Sequence, residues 1–414
     1  LDAYQVEQLK PLLVHAGANV PFYRDLFRDL GFDPRAFRRL RDLEALPPID
    51  KATVRADPDR FLAENVPPRA RRYLSTSGTT GVPLGVWNVS DSSARERAFI
   101  YSIWSRAGVG PRSRRAILRG VPIPQPPHWR YDLEERAHIY SNIYLSSETA
   151  SEFASAMTRN GNTVLHSYPS SLSLFARYAE DQQLSVPRFD AILTSSEQLF
   201  PAQKEHLQSF YDCRLFEWYG HSEKVVLAAQ CEHSDLFHVV PEYGFAELLD
   251  ADGELVGAGE AGEIAGTTFN NYAMPLIRYR TGDWATRSEQ GACRCGRPHD
   301  LWAEIIGRRE TNFVVTKDGS LLSLLAVDPY TDSFDRVVRM QFVQERPGEL
   351  ELRLVTTPGF TDADASEIAA SVSDLLGDLV DLSITLCEDI PLTPNGKHVM
   401  LVQKLRVPSA TTPL

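Results

Sequence analysis

Four short stretches of this 414-residue chain concentrate side chains that handle phosphate, ribose or a reacting carboxylate. In the first, Ser75, Thr76, Ser77, Gly78, Thr79, Thr80 and Gly81 offer hydroxyls and unobstructed backbone N–H groups, the donors that wrap a polyphosphate. It is not a Walker loop: Val82 stands where a lysine would be needed, and no Gly-Lys-Ser/Thr ending follows. In the second, Gly220 lets the chain turn sharply after an apolar run, bringing Tyr219, His221, Ser222 and Glu223 to one mouth. There a ring can stack on a base and a carboxylate can hold a phosphate-bound Mg²⁺. In the third, Arg278–Asp283, a carboxylate just past a glycine turn suits the two hydroxyls of a ribose. The fourth, Pro391–Lys397, is a stiff loop with two prolines, an Asn395-Gly396 turn and a lysine at its tip. Taken singly, each is equally well an ordinary surface turn.

A fifth group is of another kind. Cys293 and Cys295 form a tight knuckle before Gly296, and Cys231, His233 and His238 lie upstream. Three thiolates and one imidazole complete a tetrahedral structural zinc site, with either histidine as the fourth ligand; three packed or free thiols are the alternative. Cys213 and Cys387, in or beside apolar runs, read as small core residues.

The elements that must position these groups are legible from periodicity. Residues 4–45 read as helices, with Leu9, Leu12, Leu13 and Val14 on one stripe and a break at Pro21. From about 90 to 245, helical stretches (93–107, 147–160, 172–181, 201–211) alternate with short apolar runs (115–118, 163–165, 191–193, 214–218), the pattern of an α/β sheet covered by helices. Residues 243–286 read as a strand-rich subdomain. A hairpin (337–344 and 349–355), a helix (362–376) and a strand (382–386) make a small α+β domain. The expected fold is therefore a large N-terminal α/β domain of mixed sheets plus a strand-rich subdomain, residues 1–306, followed by a small mobile α+β domain, residues 307–414.

Composition sets the outer limits. The net charge is −12 and 43% of residues are hydrophobic, which fits an ordinary globular chain and argues against a general grip on nucleic acid or anionic membrane. No apolar run approaches the roughly 20 residues of a bilayer span. The five cysteines are an odd number, unlike a disulfide framework. A cytoplasmic location is expected; a homodimer is left open.

The order of the four stretches changes their weight. A hydroxyl/glycine loop, Tyr219–Glu223, Arg278–Asp283 followed by Gly307 and Arg308, and a Gly396-Lys397 pair near the end resemble the adenylate-forming superfamily of acyl-CoA synthetases, aryl-acid activating enzymes and luciferases. Asn19–Tyr23 and Met274–Tyr279 are similar to its phenylacetate–CoA ligase branch. The resemblance implies an ATP-dependent ligase that forms an acyl-AMP and passes the acyl group to an acceptor. It implies Ser75–Gly81 on the β,γ-phosphates, Glu223 on Mg²⁺, and Ser222 near the α-phosphate. Tyr219, Gly220, Ser196 and Glu197 would line the adenine, and Asp283 with Arg308 the ribose. Lys397 would contact the α-phosphate and reacting carboxylate in the first half-reaction only, with Glu310 as hinge. It also favours His238 over His233 beside Cys231, Cys293 and Cys295 for a structural Zn²⁺.

Between these segments, Tyr168, Pro169, Ser170, Trp218 and His221 are candidates for an acid pocket with flat apolar walls, which favours a small aromatic acid. His221 is equally well a satisfied buried histidine. His128 and Trp129, in a proline-rich stretch, read as a lid or a surface loop. Residues Asn312–Ser320 depart from the usual thiol-accepting pattern, so CoA stands beside an amine or hydroxyl as acceptor. A non-catalytic nucleotide-binding regulator is the remaining alternative, disfavoured by the presence of Lys397 and Glu223.

Overall fold

Leu9, Leu12, Leu13 and Ala16 share one stripe of the helix Asp2–Asn19, and all four are fully buried. A second helix, Pro21–Leu30, starts on a proline whose fixed φ suits a first turn, and Tyr23 and Phe27 continue the same core. The computed structural model describes residues 1–75, 84–308, 313–324, 327 and 332–405. They fall into two compact units, 1–110 with 217–305 and 111–216 with 306–414.

The first unit builds its sheet largely from antiparallel strands. Their spatial order is Gly244–Leu249, Ala261–Thr268, Tyr279–Arg287, Leu301–Arg308, Ser234–Val239, Leu227–Cys231 and the end of Leu215–Gly220. The amino-terminal region is tied to this sheet. Ile49 forms a parallel bridge with Tyr279, its N–H donating to Arg278 O (3.1 Å) and its carbonyl accepting from Arg280 N (2.8 Å). A separate antiparallel pair, Arg71–Ser75 and Gly85–Val89, sets Ser75 opposite Gly85.

In the second unit, Ala191–Thr194, Val164–Ser167, Arg115–Arg119 and Ala137–Ser141 run parallel in that order, and Trp129–Asp132 closes the edge antiparallel to the last. Helices Ser147–Arg159, Pro169–Asp181 and Pro201–Tyr211 cover them, and Leu118, Phe153, Leu165, Phe175, Ile192 and Leu207 form the core between. In open parallel sheets, sites form beyond the carboxyl ends of the strands. Here those ends are followed by Gly120, Asn142, Tyr168 and Ser195.

The same unit contains an α+β module. Its four strands stand in the order Asp381–Leu386, Glu349–Thr356, Val337–Arg346, Leu401–Gln403. Helix Asp362–Leu376 buries Ile368, Val372 and Leu376 against them, and Thr361 caps it in a reciprocal pair with Asp364. The chain enters the second unit at Ile306, and residues 111–216 group with 306–414. Among the described residues, no helix is long and apolar enough to cross a membrane.

Candidate active site

Two groups of the expected residues assemble, one in each unit. In the first unit, strand Leu215–Gly220 carries Tyr219 to strand Tyr279–Arg287, where the Tyr219 hydroxyl donates to Asp283 Oδ2 at 2.8 Å. Burial, reinforced by the Asp283 charge, holds the Tyr219 phenol well above its ordinary range, so it stays a donor. Beyond the strand, Glu223 is buried between His221 and Tyr279. His221 Nδ1 lies 3.2 Å from its Oε2, and the Tyr279 hydroxyl donates to its Oε1 at 3.2 Å. Burial pushes the Glu223 carboxyl up, but the His221 contact and charge, a backbone N–H and the Lys51 charge outweigh it and hold it down to about 2. It is an anion at neutral pH with lone pairs to spare, which fits a residue that holds a divalent cation. The other ring nitrogen of His221, Nε2, is buried without a hydrogen-bond partner among the described residues. Ser222 is half-buried in the same turn, and Trp218 packs edge-on to Trp104 with centroids 6.1 Å apart.

In the second unit, Pro169 opens the helix Pro169–Asp181, and the Ser170 N–H at that end donates to Glu197 Oε2 at 3.0 Å. The other oxygen, Oε1, accepts the backbone N–H of His398 at 2.8 Å. Burial raises the Glu197 pKa, against the Ser170 and His398 hydrogen bonds and the Lys397 charge, which lower it. The carboxylate oxygens of Glu197, expected from the sequence beside the adenine, are engaged with the helix end and the lysine loop. Ser196, next to it, is exposed with φ of +72°. The Lys397 ammonium sits 5.7 Å from the centroid of the Tyr168 ring. The Arg119 guanidinium carbon lies 5.6 Å from the same centroid, and Arg119 also donates to His166 Nε2. Burial and the charges of Arg119 and Arg115 hold His166 well below its usual value, so its ring is neutral and can accept.

Arg119, His166, Asn142, Tyr279 and His398 were not read as site residues from the sequence. Their one available signal is position, since three of them lie at or next to the carboxyl ends of parallel strands. Ser75 ends strand Arg71–Ser75. Thr76, Ser77, Gly78, Thr79, Thr80, Gly81 and Val82, as well as Glu310 and Asn312, lie outside the described residues. Arg308 ends strand Leu301–Arg308. His128 stacks on Tyr144 with centroids 4.6 Å apart, and Trp129 on Tyr140 at 5.7 Å.

The cysteine cluster assembles in the first unit. One ligand atom each from Cys231, His238, Cys293 and Cys295 lies within 4.8 Å of all the others. The Cys231–Cys293 sulfurs are 3.6 Å apart, and Cys295 Sγ is 3.8 Å from His238 Nε2. Tetrahedral coordination at Zn–S distances near 2.3 Å requires ligand–ligand edges of about 3.8 Å. Burial takes His238 down to about 4, so its ring is the neutral form that ligates. The residues fit a zinc ion. His233 instead donates its backbone N–H to Cys231 Sγ at 3.4 Å.

Comparison with known proteins agrees with this architecture. Residues 314–404 match the CapK C-terminal domain family. The chain is 26% identical over 333 residues to a phenylacetate–coenzyme A ligase of Thermus thermophilus, covering 76% of this chain and 72% of that protein. It is likewise 26% identical over 324 residues to the Escherichia coli phenylacetate–coenzyme A ligase. Among solved structures it is similar to a 2-hydroxyisobutyryl-CoA ligase in the postadenylation state, with TM-score 0.77, 18% identity and coverage of 97% of this chain and 89% of that one. It is also similar to an anthranilate CoA ligase in complex with anthranoyl-AMP, with TM-score 0.56, 16% identity and coverage of 78% and 65%. The fold, a large mixed α/β N-terminal domain with a separate C-terminal domain, is that of these ligases.

Proposed function

We propose that this chain, a phenylacetate–CoA ligase-like member of the adenylate-forming superfamily, activates a small carboxylic acid with ATP and delivers the acyl group to the thiol of coenzyme A. A carboxylate has no good leaving group. In the first half-reaction a carboxylate oxygen bonds to the α-phosphorus of ATP, the bond to the bridging oxygen of the β-phosphate breaks, and pyrophosphate departs. In the second, the thiol sulfur bonds to the acyl carbon, the bond to the phosphate oxygen breaks, AMP departs and the thiol proton passes to solvent. The first barrier is largely the approach of anions, so fixed positive charge and donors lower it.

The observation that carries this reading is the placement of Lys397. Its ammonium is held over the Tyr168 ring, at the mouth formed by the ends of the parallel strands, by a loop fastened at the residue on each side. A cation there can meet the α-phosphate and the reacting carboxylate. Tyr219 and Asp283 are suited to the nucleoside, the carboxylate of Asp283 to ribose hydroxyls. Arg308 and Ser222 are assigned beside the ribose and the α-phosphate, and Ser75–Gly81 to the β,γ-phosphates. Glu223 would hold Mg²⁺, which neutralises phosphate charge when bound. Tyr168, Pro169, Ser170, Trp218 and His221 are assigned to the acid, an aromatic one by the character of these walls. Residues 307–414 are proposed as the small moving domain and Cys231, His238, Cys293 and Cys295 as a structural zinc site away from the chemistry.

The CoA acceptor rests on the coenzyme A ligases to which the chain is similar. The departure of residues 312–320 from the thiol-accepting pattern keeps an amine or hydroxyl as the second reading. Lys317–Ser320 forms a turn closed on itself by Thr316, Asp318 and Ser320, and Lys317 is paired with Asp381 at 2.7 Å. The test is carboxylate-dependent exchange of labelled pyrophosphate into ATP across an acid panel, followed by product mass with and without CoA. Absence of exchange with every acid defeats the ligase reading; a CoA-independent amide or ester defeats only the thiol acceptor.

A further inference from the structure

The loop that carries Lys397 rests on a seat that the sequence gives no hint of. Gly120 follows strand Arg115–Arg119 and touches the 395–396 peptide backbone to backbone. A Cβ placed on Gly120 would stand 2.1 Å from both the carbonyl carbon and oxygen of Asn395 and 2.3 Å from Gly396 N. The exclusion is mutual: a Cβ on Gly396 would lie 2.3 Å from Gly120 Cα and 2.4 Å from Asn142 Oδ1. The obstacles to Gly120 are backbone atoms, which cannot swing aside, and Gly396 also has φ of +70°.

Asn142, buried at the end of strand Ala137–Ser141, completes the seat. Its Nδ2 donates to Gly396 O at 2.7 Å and to Ser171 Oγ at 2.6 Å. Above it the loop is a closed turn: Gly396 N donates to Thr393 O at 2.8 Å, and Lys397 N to Thr393 Oγ1 at 3.0 Å. A lysine side chain is long and flexible, so the position of its ammonium is set by how deeply its backbone is seated. Two bare glycine backbones and one amide bond fix that depth.

We propose that Gly120 and Asn142 are positioning residues for the adenylation half-reaction, holding the Lys397 loop at the depth from which its ammonium reaches the reacting phosphate. This rests on the ligase reading above and assigns two positioning residues to it. A methyl group on Gly120 must lift the 395–396 peptide by close to 1 Å, and displacements of that size cost about 100-fold in rate.

The test uses the full chain as wild type, Gly120→Ala and Asn142→Ala, with phenylacetate, 2-hydroxyisobutyrate and anthranilate as acids. Pyrophosphate exchange should fall about 100-fold in Gly120→Ala and about tenfold in Asn142→Ala. CoA-dependent consumption of supplied phenylacetyl-adenylate should change by less than about threefold, because Lys397 is not used there. Amide hydrogen exchange over residues 393–398 should accelerate in both variants. If wild type exchanges pyrophosphate with no acid, the ligase reading falls, and amide exchange still decides the seat. Equal amide exchange in wild type and Gly120→Ala overturns the seat. So does wild-type pyrophosphate exchange by Gly120→Ala, or an equal loss in both half-reactions by both variants.

Discussion

His398 donates its backbone N–H to Glu197 Oε1 at 2.8 Å, so the residue after Lys397 is fastened to the carboxylate that also receives the first turn of helix Pro169–Asp181. The ionised form of Glu197 makes both bonds, yet burial raises its pKa. A carboxyl raised in the folded state favours folding below its unfolded pKa, and that contribution is lost as pH rises through the folded value. Ionisation of Glu197 is therefore a cost to stability, set against the two bonds that hold the loop in position. Glu197→Gln turns an amide donor toward one of the two N–H groups, so it should lower the Tm at pH 7 by a few degrees while pyrophosphate exchange drops about tenfold. A large fall in Tm with unchanged exchange would reverse the assignment.

Lys397→Ala should reduce adenylation at least 100-fold, about 2.7 kcal/mol of transition-state stabilisation. ATP affinity, measured by equilibrium binding, should stay within a fewfold of wild type, because the lysine acts on the charge that develops as the acid attacks. Near-wild-type exchange by this variant would show that another cation serves the α-phosphate.

Glu223 gives a pH signature of the opposite sign. Its carboxyl is held down to about 2 against an ordinary value of 4.5. Its contribution to stability is present above the unfolded pKa and is lost as pH falls through the folded one. The difference in unfolding free energy between wild type and Glu223→Gln, of order 3 kcal/mol at pH 7, should shrink steadily between about pH 5 and pH 2. Denaturant titrations at several pH values measure it. The same substitution should raise the Mg²⁺ concentration needed for half-maximal exchange.

Protein purified without chelator should carry about one zinc per chain by elemental analysis, and Cys293→Ser should lose most of it with a Tm several degrees lower. Equal metal content in the two proteins would mean that Cys231, His238, Cys293 and Cys295 are reduced side chains in contact and nothing more.

Periodicity carried the helices and the hairpin because their apolar faces are continuous; helix Asp362–Leu376 and strand pair Val337–Arg346 and Glu349–Thr356 stand where the pattern puts them. Helix Pro169–Asp181 starts three residues before its first expected residue, since Pro169 opens it. Strand Leu227–Cys231 was not read, as the Glu232-His233 connection lacks glycine or proline to mark a turn. Within Arg278–Asp283 the sequence offered five polar side chains and no means of dividing their work. Arg278 is buried in a bidentate pair with Glu247 and Arg280 pairs with Glu263 at 2.6 Å, whereas Tyr279 faces Glu223 and Asp283 faces Tyr219. Residue types name the chemistry, but alternation along a strand decides which side chains reach it. The His398 bond to Glu197 joins a backbone N–H to a side chain 201 residues away, and no local pattern encodes such a bond.

The bridge between Ile49 and Tyr279 has a consequence for how this protein tolerates change. The strand that presents Tyr279 to Glu223 is anchored from its outer side by the main chain of residue 49, just past the opening helices. A shortened version lacking its first fifty residues would forfeit that anchor as well as part of its core. The segment around Ile49 therefore braces the strand that carries Tyr279 and Asp283, and insertions or deletions there should be felt at Glu223.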